Sequence, residues 1–190
     1  MVKGFFADQN YEGVKYTESP LEKADYENCN FSNCDFSSSD LNEVNFIECQ
    51  FTSCDLSNAT LIRTGLRDCK FSDCKLLGLH FSDCNDFLFE VQFKDSQLQF
   101  STFFQKSLKK TLFSNCSLVD CDFSEANLSE TIFDLCDFNK AQFDRTDLRK
   151  ADFSSSFNFT IDPNNNQLGK AKFSQVGLPG LLQSYDIKII

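Results

Sequence analysis

The chain has 190 residues, with 28 Asp and Glu against 18 Lys and Arg, a formal net charge of -10, ten cysteines and one histidine. That length gives one domain, its apolar runs are too short to span a bilayer, and its charge disfavours direct contact with nucleic acid, anionic membrane or acidic substrates, all of which attract basic patches. Met1 to Gly13 carries no hydrophobic segment of signal-peptide type, so a cytoplasmic location is expected.

From Leu21 an apolar residue recurs at every fifth position: Leu21, Tyr26, Phe31, Phe36, Leu41, Phe46, Phe51, Leu56, Leu61, Leu66, Phe71, Leu76 and Phe81. The series skips two residues near Asn85 and Asp86. It resumes as Leu88, Phe93, Leu98, Phe103, Leu108, Phe113, Leu118, Phe123, Leu128, Phe133, Phe138, Phe143, Leu148 and Phe153. A small residue usually sits two places earlier. A period of five is neither helical nor that of a half-buried strand, so the chain must turn a corner every five residues. It then winds as a coil whose turns pair like strands roughly 4.8 Å apart. Self-similarity of this kind marks a solenoid.

The segments Ala24-Asp25-Tyr26-Glu27-Asn28, Cys34-Asp35-Phe36-Ser37-Ser38, Cys121-Asp122-Phe123-Ser124-Glu125 and Ala151-Asp152-Phe153-Ser154-Ser155 resemble the motif of the pentapeptide-repeat family. The resemblance implies an all-β solenoid, a right-handed quadrilateral β-helix with four pentapeptides per coil. Residues 1-157 would form it, with a register break near 82-87, and residues 158-190 would form a turn, a short C-terminal helix and a dimerisation tail. Reading every twentieth position across the skip places Phe31, Phe51, Phe71, Phe93, Phe113, Phe133 and Phe153 in one column. Each offset-stacked pair in such a column adds roughly 0.5 to 1.5 kcal/mol beyond area burial.

Nine cysteines occupy the small inward slot, and Cys84 would do so had the frame continued. Columns such as Cys34, Cys54 and Cys74 do not exclude a bridge on spacing alone, but Ala, Ser, Thr and Val alternate at the same slot. Small buried hydrophobes fit that pattern better than disulfides. Allowing for the two-residue skip, every Cys-to-Cys interval is a multiple of five, unlike the close ligand pairs of zinc sites. His80, the sole histidine, should point outward and anchors no triad. Asp recurs before the central residue at Asp25, Asp35, Asp40, Asp55, Asp122, Asp137, Asp147 and Asp152, which makes it scaffold before active site. No catalysis, cofactor or metal is expected.

Assigning outward residues to four sides makes one side the most negative. It carries Glu22, Asp40, Glu43, Asp83, Asp122, Glu125 and Asp144 against Lys23, Arg63 and Arg145. Acidity of this sort keeps an elongated rod soluble, or lets it occupy a protein's DNA groove. The candidate irregularity is Asn85, Asp86 and Phe87. Lys106 falls in an inward small slot, where an unpaired ammonium is costly, so the coil is expected to distort and let the stem reach outward. Phe87, Phe89, Phe100 and Phe104 are expected outside in the same stretch, either as a partner contact or covering the joint between two half-coils.

After Phe153 the repeat fades into Ile161-Asp162-Pro163 and a later apolar segment. Pro179 can start a short helix with Leu178, Leu181, Leu182 and Tyr185 on its apolar face. This ending, and Asp147-Leu148-Arg149-Lys150-Ala151-Asp152-Phe153, resemble the quinolone-resistance Qnr, MfpA and McbG pentapeptide proteins. What that resemblance implies is a homodimer through Leu178, Leu181, Leu182, Tyr185 and Ile187, and a DNA-mimicking rod. Its partner would be DNA gyrase, with topoisomerase IV a further candidate, and it would modulate or protect the enzyme against quinolones or gyrase-directed toxins. Asp40, Glu43, Asp83, Asp122, Glu125 and Asp144 would then be the partner-binding acids. A generic scaffold or adaptor for an unrelated protein partner is the other reading, since fold alone does not give function.

Overall fold

Every strand in the chain is short and every strand pair is parallel, as a coil with corners every five residues requires. The computed structural model describes residues 4-185 and 187-188. The strands are β1 (Gly4–Ala7), β2 (Asn10–Glu12), β3 (Ala24–Glu27), β4 (Asn30–Ser32), β5 (Asn45–Ile47), β6 (Gln50–Thr52), β7 (Gly65–Arg67) and β8 (Cys69–Ser72). They continue as β9 (Val91–Lys94), β10 (Leu112–Ser114), β11 (Ile132–Asp134), β12 (Asp152–Phe153) and β13 (Lys172–Phe173). One helix, α1 (Pro179–Leu182), follows. The first side of the coil carries the sheet β1-β3-β5-β7, and the second carries the nine-stranded sheet from β2 to β13. The third and fourth sides are joined by isolated bridges such as Asp35↔Asp55 and Thr102↔Asp122.

The register is twenty residues before the break and after it, and twenty-two across it: Phe31↔Phe51, Phe71↔Phe93, Phe113↔Phe133. The structure is thus a right-handed quadrilateral β-helix. Its phenylalanine column is continuous, with ring centroids 4.8 Å apart at Phe51 and Phe71 and 5.0 Å at Phe93 and Phe113. Rings on adjacent sides meet edge to face, as Phe31 and Phe36 do. Both geometries suit the aromatic quadrupole.

Corners explain the remaining residues of the repeat. The residue two after the central one takes a left-handed conformation, from Asn28 (φ 51) to Lys170 (φ 63). Asn and Asp visit that region most readily. The Asp before the central residue caps its own corner: Asp35 Oδ1 accepts the Ser37 amide at 2.9 Å, and Asp55 and Asp122 do the same for Ser57 and Ser124. Slot residues reach back to the central carbonyl one coil earlier. Cys54 Sγ donates to Phe31 O at 3.3 Å and Thr64 Oγ1 to Leu41 O at 2.8 Å. Cys and Thr therefore serve the same role, and all ten cysteines are free and buried.

The coil is already present at Gly4, the first described residue, ahead of the apolar series that starts at Leu21: β1 pairs with β3, and Tyr11 stacks on Phe31 at 4.8 Å. The structure corrects the sequence reading of the repeat in two places. Stacking also passes beyond Phe153, because β13 pairs with β12 and sets Phe173 over Phe153 at 5.3 Å. Leu88 is not a central residue. It is 65% exposed with φ 57, and Phe89 packs against the core instead. Counting in fives put Leu88 inside because the two extra residues act across the whole span from Cys84 to Glu90, where the chain crosses the first side without a strand.

Candidate partner-binding surfaces

On the fourth side, bridges Asp40↔Thr60, His80↔Thr102, Thr102↔Asp122 and Asp122↔Gln142 fix the register, so that Asp40 and Asp122 lie on one line and the other predicted acids share its face. His80 lies exposed in that line. Four of the six acids share three cations. Asp40 meets Lys23 at 3.0 Å, Glu43 meets Arg63, and Arg145 holds Glu125 at 2.6 Å and Asp144 at 3.2 Å. The Lys23 ammonium and the Asn42 amide hold the Asp40 carboxyl below the usual carboxylate range. Asp122 serves as a corner cap, and Asp83 is exposed while its carbonyl accepts the Arg63 amide at 2.9 Å. The side keeps a surplus of carboxylates, and most of its charge sits in exposed pairs worth about 0.2 to 1 kcal/mol each.

At the break, Asn85 and Asp86 are exposed, Asn85 Oδ1 accepts the Phe87 amide at 3.0 Å, and Phe87 is 62% exposed beneath the Arg67 guanidinium. Phe100 and Phe104 are exposed as expected, but Phe89 is half-buried. Lys106 overturns its expectation. Its side chain stays inside and buried, and its amide keeps the regular corner bond to Phe103 O at 2.9 Å. The ammonium donates to Cys84 O at 2.5 Å and to Asp86 Oδ1 at 2.6 Å, and lies 5.2 Å from the centre of the Phe89 ring. The irregular span from Cys84 to Glu90 supplies the ammonium with a carbonyl acceptor and a counter-ion. A charge twenty residues ahead of Lys106 was the sequence signal for this pair.

The tail closes the far end of the rod. Ile161 is buried, and its amide donates to Gly180 O at 3.0 Å. Gly180 is required there, since a Cβ would lie 2.2 Å from Phe159 O. Helix α1 is a single turn begun by Pro179. Of the residues assigned to a dimer contact, Leu181 packs on the chain's own core and Leu182 is half-buried. Leu178, Tyr185 and Ile187 are exposed, with Tyr185 Oη accepting from Asn164 Nδ2 at 3.2 Å. The described residues contain no group of three or more His, Cys, Asp or Glu suited to a metal ion.

A coil of this section, built from five-residue sides, defines the class as a pentapeptide-repeat β-solenoid. The sequence matches the family described as pentapeptide repeat region over residues 24–103 and 44–119, and pentapeptide repeats (8 copies) over 116–154. The chain belongs to the pentapeptide-repeat family. Among solved structures it is similar to QnrB1, described as a plasmid-mediated fluoroquinolone resistance protein. The trypsin-treated form has a TM-score of 0.64 at 19% identity, covering 96% of this chain and 99% of that one. HetL, described as involved in heterocyst differentiation regulation in the cyanobacterium Nostoc sp. strain PCC 7120, gives 0.52 at 17% identity, covering 89% and 86%. At these identities the likeness is one of fold. A comparison with curated proteins finds no match.

Proposed function

We propose that this chain is a non-enzymatic, DNA-mimicking rod that docks in the DNA-binding groove of a type II topoisomerase, DNA gyrase first and topoisomerase IV second, and modulates its response to quinolones or gyrase-directed toxins. The observation that carries this reading is the fourth side, where Asp40, Glu43, Asp83, Asp122, Glu125 and Asp144 share one face of the rod. QnrB1, a plasmid-mediated fluoroquinolone resistance protein, has a similar fold. The C-terminal resemblance to the Qnr group points the same way.

Charge density sets how such a rod would bind. The nine-stranded sheet spans about 38 Å at roughly 4.8 Å per step. A net charge of -10 over that length is one charge per about 4 Å, against about 1.7 Å for duplex DNA. The rod therefore carries less than half the net linear charge of DNA. Docking must rest on the one side with a carboxylate surplus, and its salt dependence should be shallower than that of DNA.

Gyrase supercoiling, titrated with the protein with and without ciprofloxacin, tests the reading. The intact chain should alter supercoiling or drug-induced cleavage, and the triple variant Asp122→Lys, Glu125→Lys, Asp144→Lys should lose the effect while keeping its far-ultraviolet circular dichroism. No effect of the intact chain on either readout would remove the topoisomerase reading. The scaffold alternative, favoured by the pairing of four fourth-side acids with cations, would then stand.

A further inference from the structure

The register break leaves one strand edge of the first side without partners. After the break, each coil of that side bonds to the coil before it in one pattern. The amide ahead of the central residue donates to the preceding coil, as Asn127 N does to Lys106 O at 2.8 Å and Asp147 N to Ala126 O at 3.0 Å. The carbonyls on either side of the central residue accept, Asn127 O from Leu108 N at 2.8 Å and Ser129 O from Lys110 N at 3.1 Å. The coil that follows the break carries the same groups as Ser107 N–H, Ser107 C=O and Lys109 C=O. None of the three has a hydrogen-bond partner among the described residues. Cys84 O, which the Ser107 amide would reach in register, is taken by the Lys106 ammonium at 2.5 Å. The break segment bonds only to the coil before it, Asn85 N to Thr64 O and Glu90 N to Leu66 O, each at 2.9 Å.

This edge opens on a cleft of about 240 Å³, with Phe89, Glu90 and Gln92 on one rim and Ser107, Lys109 and Lys110 on the other. The cleft closes at the corner, since β9 and β10 pair again from Phe93↔Phe113. Phe89 packs on the core beside the buried Lys106 side chain, so the interior behind the edge is filled. Sign favours an anion at the closed end. Ahead of the break acids predominate on this side, with Glu27, Glu48 and Asp68 against Arg67, whereas beyond it Lys109, Lys110, Arg149, Lys150 and Lys170 stand against Glu130 and Asp147. Of the carboxylates near the cleft, Asp86 is held by Lys106, and Glu130 lies 3.7 Å from Lys109. Glu90 is exposed on the opposite rim, where solvent and salt screen it. Lys110 has no ion-pair partner among the described residues.

We propose that the edge takes the C-terminal end of an extended peptide from a partner protein, added as one parallel strand to the first side, with its terminal carboxylate against Lys110. Main-chain groups left open at alternate residues of a strand are matched by another strand, which donates to Ser107 O and Lys109 O and accepts from Ser107 N–H. Every strand pair of the rod is parallel, and a parallel addition directs the C-terminus toward the closed corner. A chain cannot continue past the paired β9 and β10, so an end belongs there. An antiparallel addition would bring an ammonium to Lys109 and Lys110. With Phe89 and Lys106 filling the interior, the peptide residue opposite Leu108 must be small, and that residue is two before the carboxylate.

The test is a library of pentapeptides with free C-terminal carboxylates, and the same library amidated, each passed over the immobilised full chain. The free-acid library should yield retained members with Gly, Ala or Ser two residues before the carboxylate, and the amidated library none. A fluorescein-labelled retained member should bind Lys110→Glu about tenfold more weakly, the loss of one charge-assisted hydrogen bond. It should bind Lys170→Glu, farther along the same side, as it binds the intact chain. Both substitutions put Glu at a left-handed corner of the kind Glu43 and Glu130 already occupy, and circular dichroism checks each fold. Hydrogen exchange read by nuclear magnetic resonance reports the strand itself: saturating peptide should slow exchange of the Ser107 amide, which is open in the free chain. No retained member, equal retention of the amidated library, undiminished binding to Lys110→Glu, or a Ser107 amide that exchanges as fast with peptide as without it would each overturn the proposal.

Discussion

Asp86→Asn isolates the ion pair on which the register break is built. The Lys106 side chain is 3% exposed and that of Asp86 is 88% exposed, so the variant removes an anion at the surface from an ammonium in the interior. Breaking a fully buried pair costs about 3 to 5 kcal/mol, and an exposed pair is worth about 0.2 to 1. Water can replace the carboxylate from its open side, and Cys84 O still accepts one ammonium proton. The expected cost therefore lies between these limits, about 1 to 2 kcal/mol, or a fall of roughly 3 to 7 °C in the melting temperature of a chain this size. Lys106→Met fills the same slot with a stem of similar length and no charge, and should be neutral or stabilising. The double variant should then match Lys106→Met within about 0.5 kcal/mol, because the anion has lost its reason. Urea denaturation of the four proteins supplies the cycle. A silent Asp86→Asn, or a Lys106→Met that loses more than about 3 kcal/mol, would refute the argument that Asp86 exists to compensate the buried lysine.

Three other outcomes follow from the coil. Phe113 is fully buried between Phe93 and Phe133, at 5.0 and 5.1 Å, so Phe113→Ala should cost about 3 to 5 kcal/mol in urea denaturation; a loss under 1 would mean the column is not packed as described. Burial pushes the Cys49 thiol up to about 11 and the Cys84 thiol up to about 12. Since only an accessible thiolate reacts and all ten cysteines are buried, an aromatic disulfide reagent at pH 8 should label almost none of them until guanidinium is added, and rapid native labelling would contradict this. Corner bonds hold four carboxyls below their ordinary value: Ser37 at Asp35, Lys23 at Asp40, Arg149 at Asp147 and Ser154 at Asp152. A carboxyl lowered in the folded state adds stability that is present above its unfolded value of about 3.9 and is lost as pH falls through the lower folded value. Stability should thus be flat near neutrality and decline below about pH 4. Asn at these four positions should flatten that decline, and an unchanged acid limb would show that the corners do not carry it.

How much of this was legible in the chain depends on whether a residue's environment is set by counting or by what stacks on it. Phe31, Phe51 and Phe71 could be placed by counting, because a column of identical rings tolerates one register only. The tyrosines at 11 and 16 continue the same count back toward Gly4, yet a first coil has neighbours on one side alone and its spacing is a weaker signal. Leu88 and Lys106 defeated the count for one shared reason. An insertion of two residues does not simply loop out: it lets Leu88 leave, lets Phe89 enter, and brings a carbonyl and a carboxylate to a lysine that the regular slot would leave unpaired.

The tail is read differently again. A one-turn apolar helix has too few positions to serve two partners, and the open end of the solenoid, with Phe159 and Phe173 at its rim, claims Leu181 first. That is the ordinary requirement that terminal coils be capped. It weakens the inference from an apolar tail to a dimer, because the same residues answer a need within the chain.

Sign is the property that composition hides most completely. The total of -10 is a property of the whole chain, but charge in a solenoid belongs to a side and a level. Glu27 and Arg149 differ in sequence by more than a hundred positions and still lie on one line of one side. Lys23 and Asp40, seventeen residues apart, neutralise each other. Only once the twenty-residue register is fixed, and the two-residue shift entered at its actual place, does an acidic rod resolve into a fourth side whose carboxylates are mostly paired and a first side that reverses at its centre.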